Sequence, residues 1–514
     1  MSKVKSAIIT ALVVIAIIVA AVFGTVSFNV GAAQRYNSIA ARIPLGSEFS
    51  GYVYTTVYPE GVISANEYDA LEEEDKSAYE QHGGVYVSFE ECDYADIASL
   101  SAAVAADADI LSARLGDRGL TDYSVAVRDD VTIFVALPSG YSYAAYKGND
   151  STERSEALSA ASSSIAYLVA DGELTLRTTD SSITTDEDSG TSIDMTRNKD
   201  EYTDADILGT GEQTYPFVSA NEDVSSYFSS VTAYAFGGSN VLSFNLTEYG
   251  RERMSYVSTL AASSESQTIY VCVGDTQVLS INCTSTIDSD NMQFALSTLS
   301  AAKDTAAVLS SVVAGNALSV AYNAPDSVSS STATGGENAA LMAFIASIVV
   351  LAALCAAAVI KYKKLGGVLA ISFVILALAM LYTLFLLSIQ VTFEVLAVCA
   401  GALILLAAAN LVVLGEVRAQ CKTGKTMQAA VKAAYKRTLW SVIDIHVIVL
   451  AAAILMAAVC QGAAAACGLI LVVGTLVSYV LYWFTRFMWY VLSSPQRNKF
   501  AFGGFKREVY GDDE

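Results

Sequence analysis

The distribution of apolar segments constrains this chain more than any other feature. One uncharged apolar segment near the start and five near the end flank residues 27–338, which have the composition of a soluble domain. A helix of about 20 apolar residues crosses the ~30 Å hydrocarbon core of a bilayer. We therefore predict a polytopic α-helical membrane protein with six transmembrane helices in a 1+5 arrangement. The predicted spans are residues 7–26, 339–360, 368–389, 395–414, 439–459 and 463–484.

The first apolar segment has two interpretations. As a membrane anchor it stays attached, with Lys3 and Lys5 just before it. As a secretory signal peptide it would be removed, but the apolar core of a signal peptide is usually about 7–15 residues, and this segment is longer. We favour the anchor, which gives the chain a retained first span.

Charge sets the predicted orientation. Residues 27–337 contain 45 Asp and Glu against 14 Lys and Arg, whereas the rest of the chain contains 7 acidic and 16 basic residues. The basic residues near the later spans occur in segments 361–364, 418–437 and 486–507. The positive-inside rule places these segments and both termini in the cytoplasm, and the acidic domain on the extracytoplasmic side of the cell membrane. The acidic surface disfavours nucleic acid as a partner.

Few residues could carry catalytic or metal chemistry. The chain has two histidines and no Cys-x-x-Cys pair, so we predict no metal site and no cofactor. The sequence Gly424-Lys425-Thr426 lacks the glycine that a phosphate-binding loop needs five positions earlier, because Ala419 stands there. Outside the membrane no nucleophile and base pair is recognisable, so we expect the protein not to be an enzyme.

The cysteines of the predicted outer domain do not form a disulfide framework. Cys92, Cys272 and Cys283 make an odd number. Cys272 and Cys283 either pair across neighbouring strands or remain free, packed thiols. We favour free thiols.

The first half of the outer domain alternates strand and helix patterns. The sequence YSVAVRDDVTIFVALP alternates apolar and other residues on both sides of a polar turn, which predicts a hairpin. With its neighbours the hairpin gives the order β-α-β-β-α-β of a ferredoxin-like base in an α+β domain. The predicted elements are a strand at 51–58, a helix at 97–118, the hairpin at 123–138, a helix at 151–169 and a strand at 172–178.

An acidic linker separates this base from a second α+β region, the head. In the linker Asp186 and Asp188 are spaced as in a calcium loop, but Gly190 stands where a third oxygen ligand belongs. We interpret the segment as a solvated connector. In the head we predict strands at VLSFNL and TIYVCVG and a helix at 293–314.

The whole chain divides accordingly. The predicted parts are 1–26 (cytoplasmic N-terminus and first span), 27–178 (base), 179–214 (acidic linker), 215–323 (head), 324–338 (Ser/Thr/Gly-rich linker), 339–492 (five-helix bundle) and 493–514 (cytoplasmic tail).

The sequence ILSARLGDRGLTDYSVAVRDDVTIFVALPSG resembles the SecD subunit of the Sec protein-export machinery. That family has an Ile-x-x-Arg helix end, a turn with glycine, and a hairpin that closes in Leu-Pro-Gly. Further matches follow the family's order: PLGSEFSG before this segment, and FNLTEYGRERM, AGNALSV and the spacing from Thr392 to Asn410 after it. The positions that match the family's motifs are Gly46, Glu48, Gly51, Arg114, Gly119, Pro138, Gly250, Gly315 and Asn410.

The resemblance implies a role in protein export. SecD works with SecF beside the Sec channel, where its outer domain holds emerging polypeptide while the proton gradient drives its motion. The membrane bundle is of the type shared with resistance-nodulation-division exporters, and this chain contains one six-span half. The implied partners are therefore a SecF-like subunit, the Sec channel and unfolded exported polypeptide.

Several positions depart from the family pattern. In the fourth span the family carries an aspartate assigned to proton movement, and Ala408 stands there. In AGNALSV, Ser319 replaces a proline. Because a methyl group carries no proton, an uncoupled scaffold or polypeptide-holding paralogue stays open as an alternative. The general bundle architecture leaves a second alternative open, part of an exporter of lipids or small molecules.

Asp444 and His446 are the candidates for a proton or ion relay inside the membrane. Aspartate in a span costs about 2.5–3.5 kcal/mol on insertion scales, so we expect Asp444 to face the bundle interior beside Asn410, Ser441 or a basic residue. In the bundle interior Asp444 would either hold helices together through hydrogen bonds or take part in proton or ion transfer. His446 suits proton exchange, with an unperturbed pKa of about 6.5, or is a hydrogen-bonded packing residue. Residues two apart on a helix point about 200° apart, so these two belong to opposite faces.

Overall fold

The computed structural model contains two compact units. The bundle unit comprises Met1–Tyr52, Pro138–Ser155 and Thr332–Glu514, and the sheet unit comprises Val53–Leu137 and Glu156–Ser331. The residues that the structure describes are 3–30, 34–139, 165, 167–179, 214–218, 222–237, 239–264, 266–274, 276–323, 328–336 and 338–492. The predicted helix at 151–169, the acidic linker and the C-terminal tail lie wholly or mainly outside them.

Helices and strands are numbered in chain order. The helices are α1 (Lys3–Thr25), α2 (Ile39–Arg42), α3 (Ser47–Ser50), α4 (Ala65–Ala70), α5 (Phe89–Cys92), α6 (Ile97–Asp117), α7 (Glu248–Ser263), α8 (Leu299–Val313), α9 (Ala339–Leu386), α10 (Phe393–Lys422), α11 (Met427–Val459) and α12 (Gly462–Leu492). The strands are β1 (Phe28–Val30), β2 (Gln34–Tyr36), β3 (Tyr52–Val57), β4 (Val62–Ser64), β5 (Glu80–His82), β6 (Val85–Val87), β7 (Ser124–Arg128), β8 (Thr132–Pro138), β9 (Leu174–Thr178), β10 (Tyr215–Pro216), β11 (Phe228–Phe236), β12 (Ser239–Leu246), β13 (Thr268–Val273), β14 (Thr276–Asn282), β15 (Asn291–Leu296) and β16 (Ser329–Ser331).

Four helices of the bundle unit, α9 to α12, are long and apolar enough to cross a membrane. α1 contains a shorter apolar stretch, Ala11–Thr25. Thr392 and Thr426 begin α10 and α11, since each side chain accepts a hydrogen bond from a backbone N–H of the first turn. These apolar helices indicate a membrane protein.

The chain reverses direction within α9. The element is 48 residues long, about 72 Å if it were straight. At Lys363, however, the backbone leaves the helical region with φ 47° and ψ −121°. Cys355 Sγ lies 3.6 Å from the Ala370 carbonyl oxygen, and a Cβ added to Gly366 would come within 1.9 Å of the Ala358 oxygen. The element is therefore two antiparallel helices, and its arms correspond to the predicted spans 339–360 and 368–389.

α12 packs against α9, α10 and α11 and so holds the bundle together. Gly474 of α12 faces the Cβ of Ala402 on α10, which would lie 2.8 Å from a Cβ added at that glycine. Small residues allow such close approach between helices in a bilayer, where van der Waals packing is the main attraction between apolar surfaces.

The sheet unit is built around one apolar core. Its sheets have the strand orders β16-β3-β8-β7, β10-β9-β13-β14, β11-β12-β15 and β4-β6-β5. Residues of β3 alternate between half-buried and buried, as expected when one face of a sheet packs on a core. α6 packs on β7, α7 on β13 and α8 on β11.

The local predictions for this unit are largely confirmed. β7 and β8 form the predicted antiparallel hairpin, with Val125 opposite Val135. The predicted helix at 97–118 corresponds to α6, and the predicted strands of the head correspond to β12 and β13. Cys272 and Cys283 are not joined by a disulfide. They lie at opposite ends of the β13–β14 hairpin, because Cys272 is opposite Gln277 and Cys283 follows Asn282.

Two predictions for this unit are wrong. β9, assigned to the ferredoxin-like base, pairs with β13 of the head and not with the sheet of β3, β7 and β8. The ferredoxin-like arrangement is thus not found among the described strands. The last head helix begins at Leu299, where Thr298 caps it, because residues 291–296 form β15. Apolar periodicity shows which face of a strand is buried but does not identify its neighbour.

Candidate functional site

A chain of hydrogen bonds crosses the interior of the bundle unit. Thr485 Oγ1 lies 2.8 Å from Asn410 Oδ1 and 2.9 Å from Tyr435 Oη. Asn410 Nδ2 donates to the Leu406 carbonyl at 2.9 Å. All three side chains are buried. The amide oxygen of Asn410 and the carbonyl oxygen of Tyr482 both lie 2.8 Å from Thr485 Oγ1 and share its single proton, so Tyr435 donates to Thr485. Asn410 thus joins α10 to α11 and α12 as interior polar glue.

His446 belongs to the same interior. Its Nδ1 lies 2.8 Å from the Val442 carbonyl oxygen, and its Nε2 lies 3.2 Å from Ser478 Oγ. A carbonyl only accepts, so Nδ1 carries the proton and, in the neutral ring, Nε2 accepts from Ser478. This is the arrangement of a hydrogen-bonded packing histidine, while a relay function of His446 stays a prediction.

Asp444 does not face the bundle interior, and that expectation is wrong. Its side chain lies on the exposed surface of α11, on the same side as Trp440, which is 72% exposed. Asn410 bonds elsewhere, and Arg437 pairs with Glu416 of α10 at 3.1 Å. Within the described part of the chain no hydrogen bond reaches Asp444. The prediction that Asp444 and His446 occupy opposite faces is confirmed.

The position of the lost family carboxylate is also on the bundle surface. Ala408 is exposed on α10, and the neighbouring Ile404 and Leu411 are 64% and 45% exposed. α10 carries apolar residues on all sides, so the sequence did not show which residues face outward. A carboxylate at position 408 would lie on the outside of this bundle.

The motif PLGSEFSG contacts the N-terminal end of α10. Glu48 Oε2 accepts a hydrogen bond from Phe393 N at 2.5 Å, where a carboxylate is favoured by the helix dipole. Gly46 N donates to the Val391 carbonyl at 2.8 Å, and the Phe49 and Phe393 rings are 4.7 Å apart. The motif therefore links the chain after α1 to the start of α10.

The end of β8 is tied to the same motif. Ser139, directly after Pro138, donates its N–H to the Gly51 carbonyl at 3.0 Å and its hydroxyl to the Ser50 carbonyl at 2.9 Å. Gly51 has φ +82°, a conformation that favours glycine. Four of the family positions, Gly46, Glu48, Gly51 and Pro138, thus lie together.

Arg114 is a buried cation that holds three segments of the sheet unit. Its Nη1 donates to the carbonyls of Leu168 and Ala170 at 2.8 and 2.7 Å, and its Nε donates to Ser311 Oγ of α8 at 3.2 Å. Burial lowers the pKa of Arg114 to about 10, against the opposing influence of Asp107. Arg114 remains charged at neutral pH, so its role here is structural.

The remaining family positions are also structural. Gly315 lies two residues after the end of α8 with φ +80°, and Gly119 lies two residues after the end of α6 with φ +86°. A Cβ on Gly250 would lie 1.9 Å from the Tyr227 carbonyl oxygen, so α7 can approach the turn at 224–227, just before β11, only with glycine there.

The sequence reasoning missed Asp107. This carboxylate is fully buried and accepts hydrogen bonds from Ser319 N at 2.9 Å, Val320 N at 3.0 Å and Tyr322 Oη at 3.1 Å. The available signal was its position on the apolar face of α6, seven residues after Leu100. Ser319, which replaces the family's proline, supplies an N–H that proline lacks.

No group of three or more histidine, cysteine or acidic side chains placed to hold a metal ion occurs among the described residues. The buried polar residues described above hold helices and strands in place. Asp444 is an acidic group that lies on the bundle surface.

The fold resembles that of SecDF. The crystal structure of SecDF in a super-membrane-facing form matches 96% of this chain and 59% of its own, with a TM-score of 0.52 and 14% sequence identity. The crystal structure of SecDF from Thermus thermophilus, described as a translocon-associated membrane protein, matches 94% of this chain and 58% of its own, with a TM-score of 0.39 and 14% identity. No family model matches the sequence, and no curated protein matches it. The chain has the SecDF fold and spans 59% of the length of the first of these structures.

Proposed function

We propose, from the SecDF fold of this chain, that it is a SecD-like accessory subunit of the protein-export translocase. In this role the sheet unit holds or pulls emerging polypeptide on the outer face of the membrane, and no chemical reaction is catalysed. The observation that carries the proposal is a fold match over 96% of the chain. The ordered motifs around Glu48, Arg114 and Asn410 support it.

The proposed topology has six spans, both termini in the cytoplasm and the sheet unit outside. Reversal of the chain at Lys363 divides α9 into two arms, which with α1 and α10 to α12 make six apolar segments. The basic residues at 361–364 lie at this turn, where the positive-inside rule favours the cytoplasm.

We expect thiol labelling of intact cells to report this topology. Cys92 is a poor probe, because burial raises its pKa to about 11 and leaves little reactive thiolate, and Cys421 is buried. In an otherwise cysteine-free chain, Glu74→Cys should react with an impermeant maleimide, whereas Lys432→Cys should react only after the membrane is permeabilised. Both native side chains are exposed. The opposite pattern would overturn the orientation and the export role with it.

A SecF-like subunit is the proposed partner in the membrane. The chain corresponds to 59% of the length of the SecDF structure. A carboxylate exposed to lipid is costly and normally pairs with another group. Asp444, exposed on α11, therefore marks the surface that we assign to the partner.

Coupling to the proton gradient, where it exists, is proposed to run through that partner or through Asp444. Residues 395–414 contain no Asp, Glu, His, Lys or Arg. Ala408 favours a second candidate function, an uncoupled subunit that holds polypeptide without being driven. An exporter of lipids or small molecules has only the bundle architecture in its favour.

Photocrosslinking during arrested secretion tests the proposed function. A benzophenone amino acid at position 236, where Phe236 is 75% exposed on the sheet unit, should trap a nascent exported chain. The matched control is position 73, whose side chain is 90% exposed on the β4-β6-β5 side of the unit; it should trap far less. Trapping of lipid alone at position 236 would favour the exporter and contradict the translocase.

A further inference from the structure

β11 is an edge strand that carries no charged residue and no proline. It lies at one end of the β11-β12-β15 sheet, so every second residue directs its N–H and C=O away from β12. Among the described residues, no other strand pairs with that side. Protected edges carry charges, prolines or bulges, but FSSVTAYAF has no charge and no proline, and its one irregularity is at Phe228 to Ser230. The edge can therefore accept another extended chain.

The exposed face of β11 adds apolar contact area. Thr232, Tyr234 and Phe236 alternate along this face, and the two aromatic residues are 39% and 75% exposed. Large exposed aromatic side chains on an uncharged edge are characteristic of surfaces that bind a partner.

A cavity of about 380 Å³ opens beside the middle of this edge. Val231, Thr232 and Ala233 form one wall, α8 forms the second, and the end of α6 with Gly119 forms the third. Three consecutive strand residues line it, so backbone as well as side-chain atoms border the space. We call this cavity and the adjoining edge of β11 the β11 groove.

Lys303 of α8 and Asp117 at the end of α6 both line the groove. The neighbouring Arg118 pairs with Asp304, whereas no ion pair or hydrogen bond within the described residues reaches Lys303. Burial, and then repulsion by Arg118, lowers the pKa of Lys303, whereas attraction to Asp304 opposes this shift. A bound carboxylate beside Lys303 would favour the charged form of the lysine.

We propose that the β11 groove binds an extended segment of unfolded polypeptide, whose main chain pairs with the edge of β11 and whose carboxylate pairs with Lys303. The proposal rests on the proposed function and defines how the substrate is held. Main-chain hydrogen bonds are the same for every sequence, so strand addition suits a subunit that meets many different polypeptides. The carboxylate belongs either to the C-terminus or to an acidic side chain.

Peptide binding to the full-length protein in nanodiscs tests the pairing mode. The probe is a short fluorescent peptide of alternating threonine and valine with a free C-terminal carboxylate. N-methylation of alternate amides removes main-chain donors and should weaken binding by about tenfold or more. Shuffling the side chains should change it little. Equal binding of the N-methylated peptide would overturn strand addition.

The role of Lys303 is tested with the same peptides. Lys303→Met should weaken binding of the free-carboxylate peptide about fivefold or more, within the range of a charge-assisted hydrogen bond. It should leave a C-terminally amidated peptide without acidic residues unaffected. An amidated peptide carrying one aspartate distinguishes the side chain from the C-terminus as the source of the carboxylate. Lys76→Met, which removes a lysine paired with Glu73, is the matched control. Equal effects of the two variants would overturn the assignment of Lys303.

Crosslinking from the two edges of one sheet separates this inference from the proposed function. Thr232 of β11, Ser243 of β12 and Gln293 of β15 lie in one row across the sheet. Thr232→Cys, carrying a thiol-linked photoprobe, should trap an arrested export intermediate, and Gln293→Cys at the opposite edge should not. Equal trapping from both edges would overturn the inference and leave the proposed function standing. Trapping from neither edge, nor from position 236, would overturn both.

Discussion

Asp107→Ala is expected to lower the free energy of unfolding of the sheet unit by about 3–5 kcal/mol. The buried carboxylate accepts hydrogen bonds from Ser319 N, Val320 N and Tyr322 Oη. Its removal leaves these donors in the core without an acceptor, and each unsatisfied donor costs about 1–3 kcal/mol. The transition attributed to this unit in thermal unfolding of the purified protein should fall by about 10 °C.

The control for this substitution is on the same helix. Asp109→Ala removes an exposed carboxylate two residues further along α6 and should leave the transition within about 1 °C. Ser319→Pro removes two donors to Asp107, the backbone N–H and the hydroxyl. Its effect and that of Asp107→Ala should therefore be less than additive when combined. A fully additive double variant, or an Asp107→Ala protein as stable as the control, would contradict the role given to this carboxylate.

Asp444→Leu is expected to improve membrane insertion of the isolated subunit by about 3 kcal/mol and to abolish its stable association with the partner. The carboxylate is exposed on α11 and bonds to no described residue, so its loss breaks no contact within the bundle. Copurification with the SecF-like subunit measures the association, and thermal unfolding of the isolated chain measures its own stability.

Two further variants sharpen this result. Ala451→Leu enlarges an exposed side chain two turns along the same helix and should leave copurification close to normal. Asp444→Asn keeps the size of the side chain but removes its charge. If Asp444→Asn abolishes gradient-dependent export in a protein that still assembles, the residue carries protons and is not only a contact. A loss of stability of the isolated subunit on Asp444→Leu would contradict its outward position.

Local patterns predicted the individual elements well. The alternation around Asp129 and Asp130 gave the β7–β8 hairpin because apolar residues recur at every second position of both strands, although only β8 has a buried face. The predicted helix at 97–118 matches α6, since Asp96 caps it and its apolar positions recur at helical spacing. Short-range signals of this kind depend only on residues close in sequence.

Long-range pairing could not be predicted in the same way. β9 alternates as a strand of the base would, yet Arg177 lies opposite Tyr270 of β13. Leu174 and Leu176 would be buried equally well beside either sheet, so their burial does not decide between them. The choice depends on residues almost a hundred positions later.

Only some residues of the candidate site could be predicted, because the direction of a side chain in the fold also depends on distant parts of the chain. Asn410 and His446 were identified, but the direction of Asp444 was not, because the apolar residues on all sides of α11 define no inward stripe. Asp107 was missed because an isolated aspartate on an apolar helix face gives no hint of donors contributed by the distant chain around Val320. The surface position of Ala408 likewise required the packing of α10 against α12.

The hydrogen bond between Glu48 and Phe393 spans 345 positions of the chain. At the usual speed of translation, about 5–20 residues per second, the acceptor is made roughly 20 to 70 seconds before its donor. The Glu48 carboxylate therefore has no hydrogen bond to the start of α10 while the sheet unit and the two arms of α9 are synthesised. The contact between Glu48 and the start of α10 can form only late in biogenesis. A protein truncated before Phe393 would leave the ribosome without this hydrogen bond.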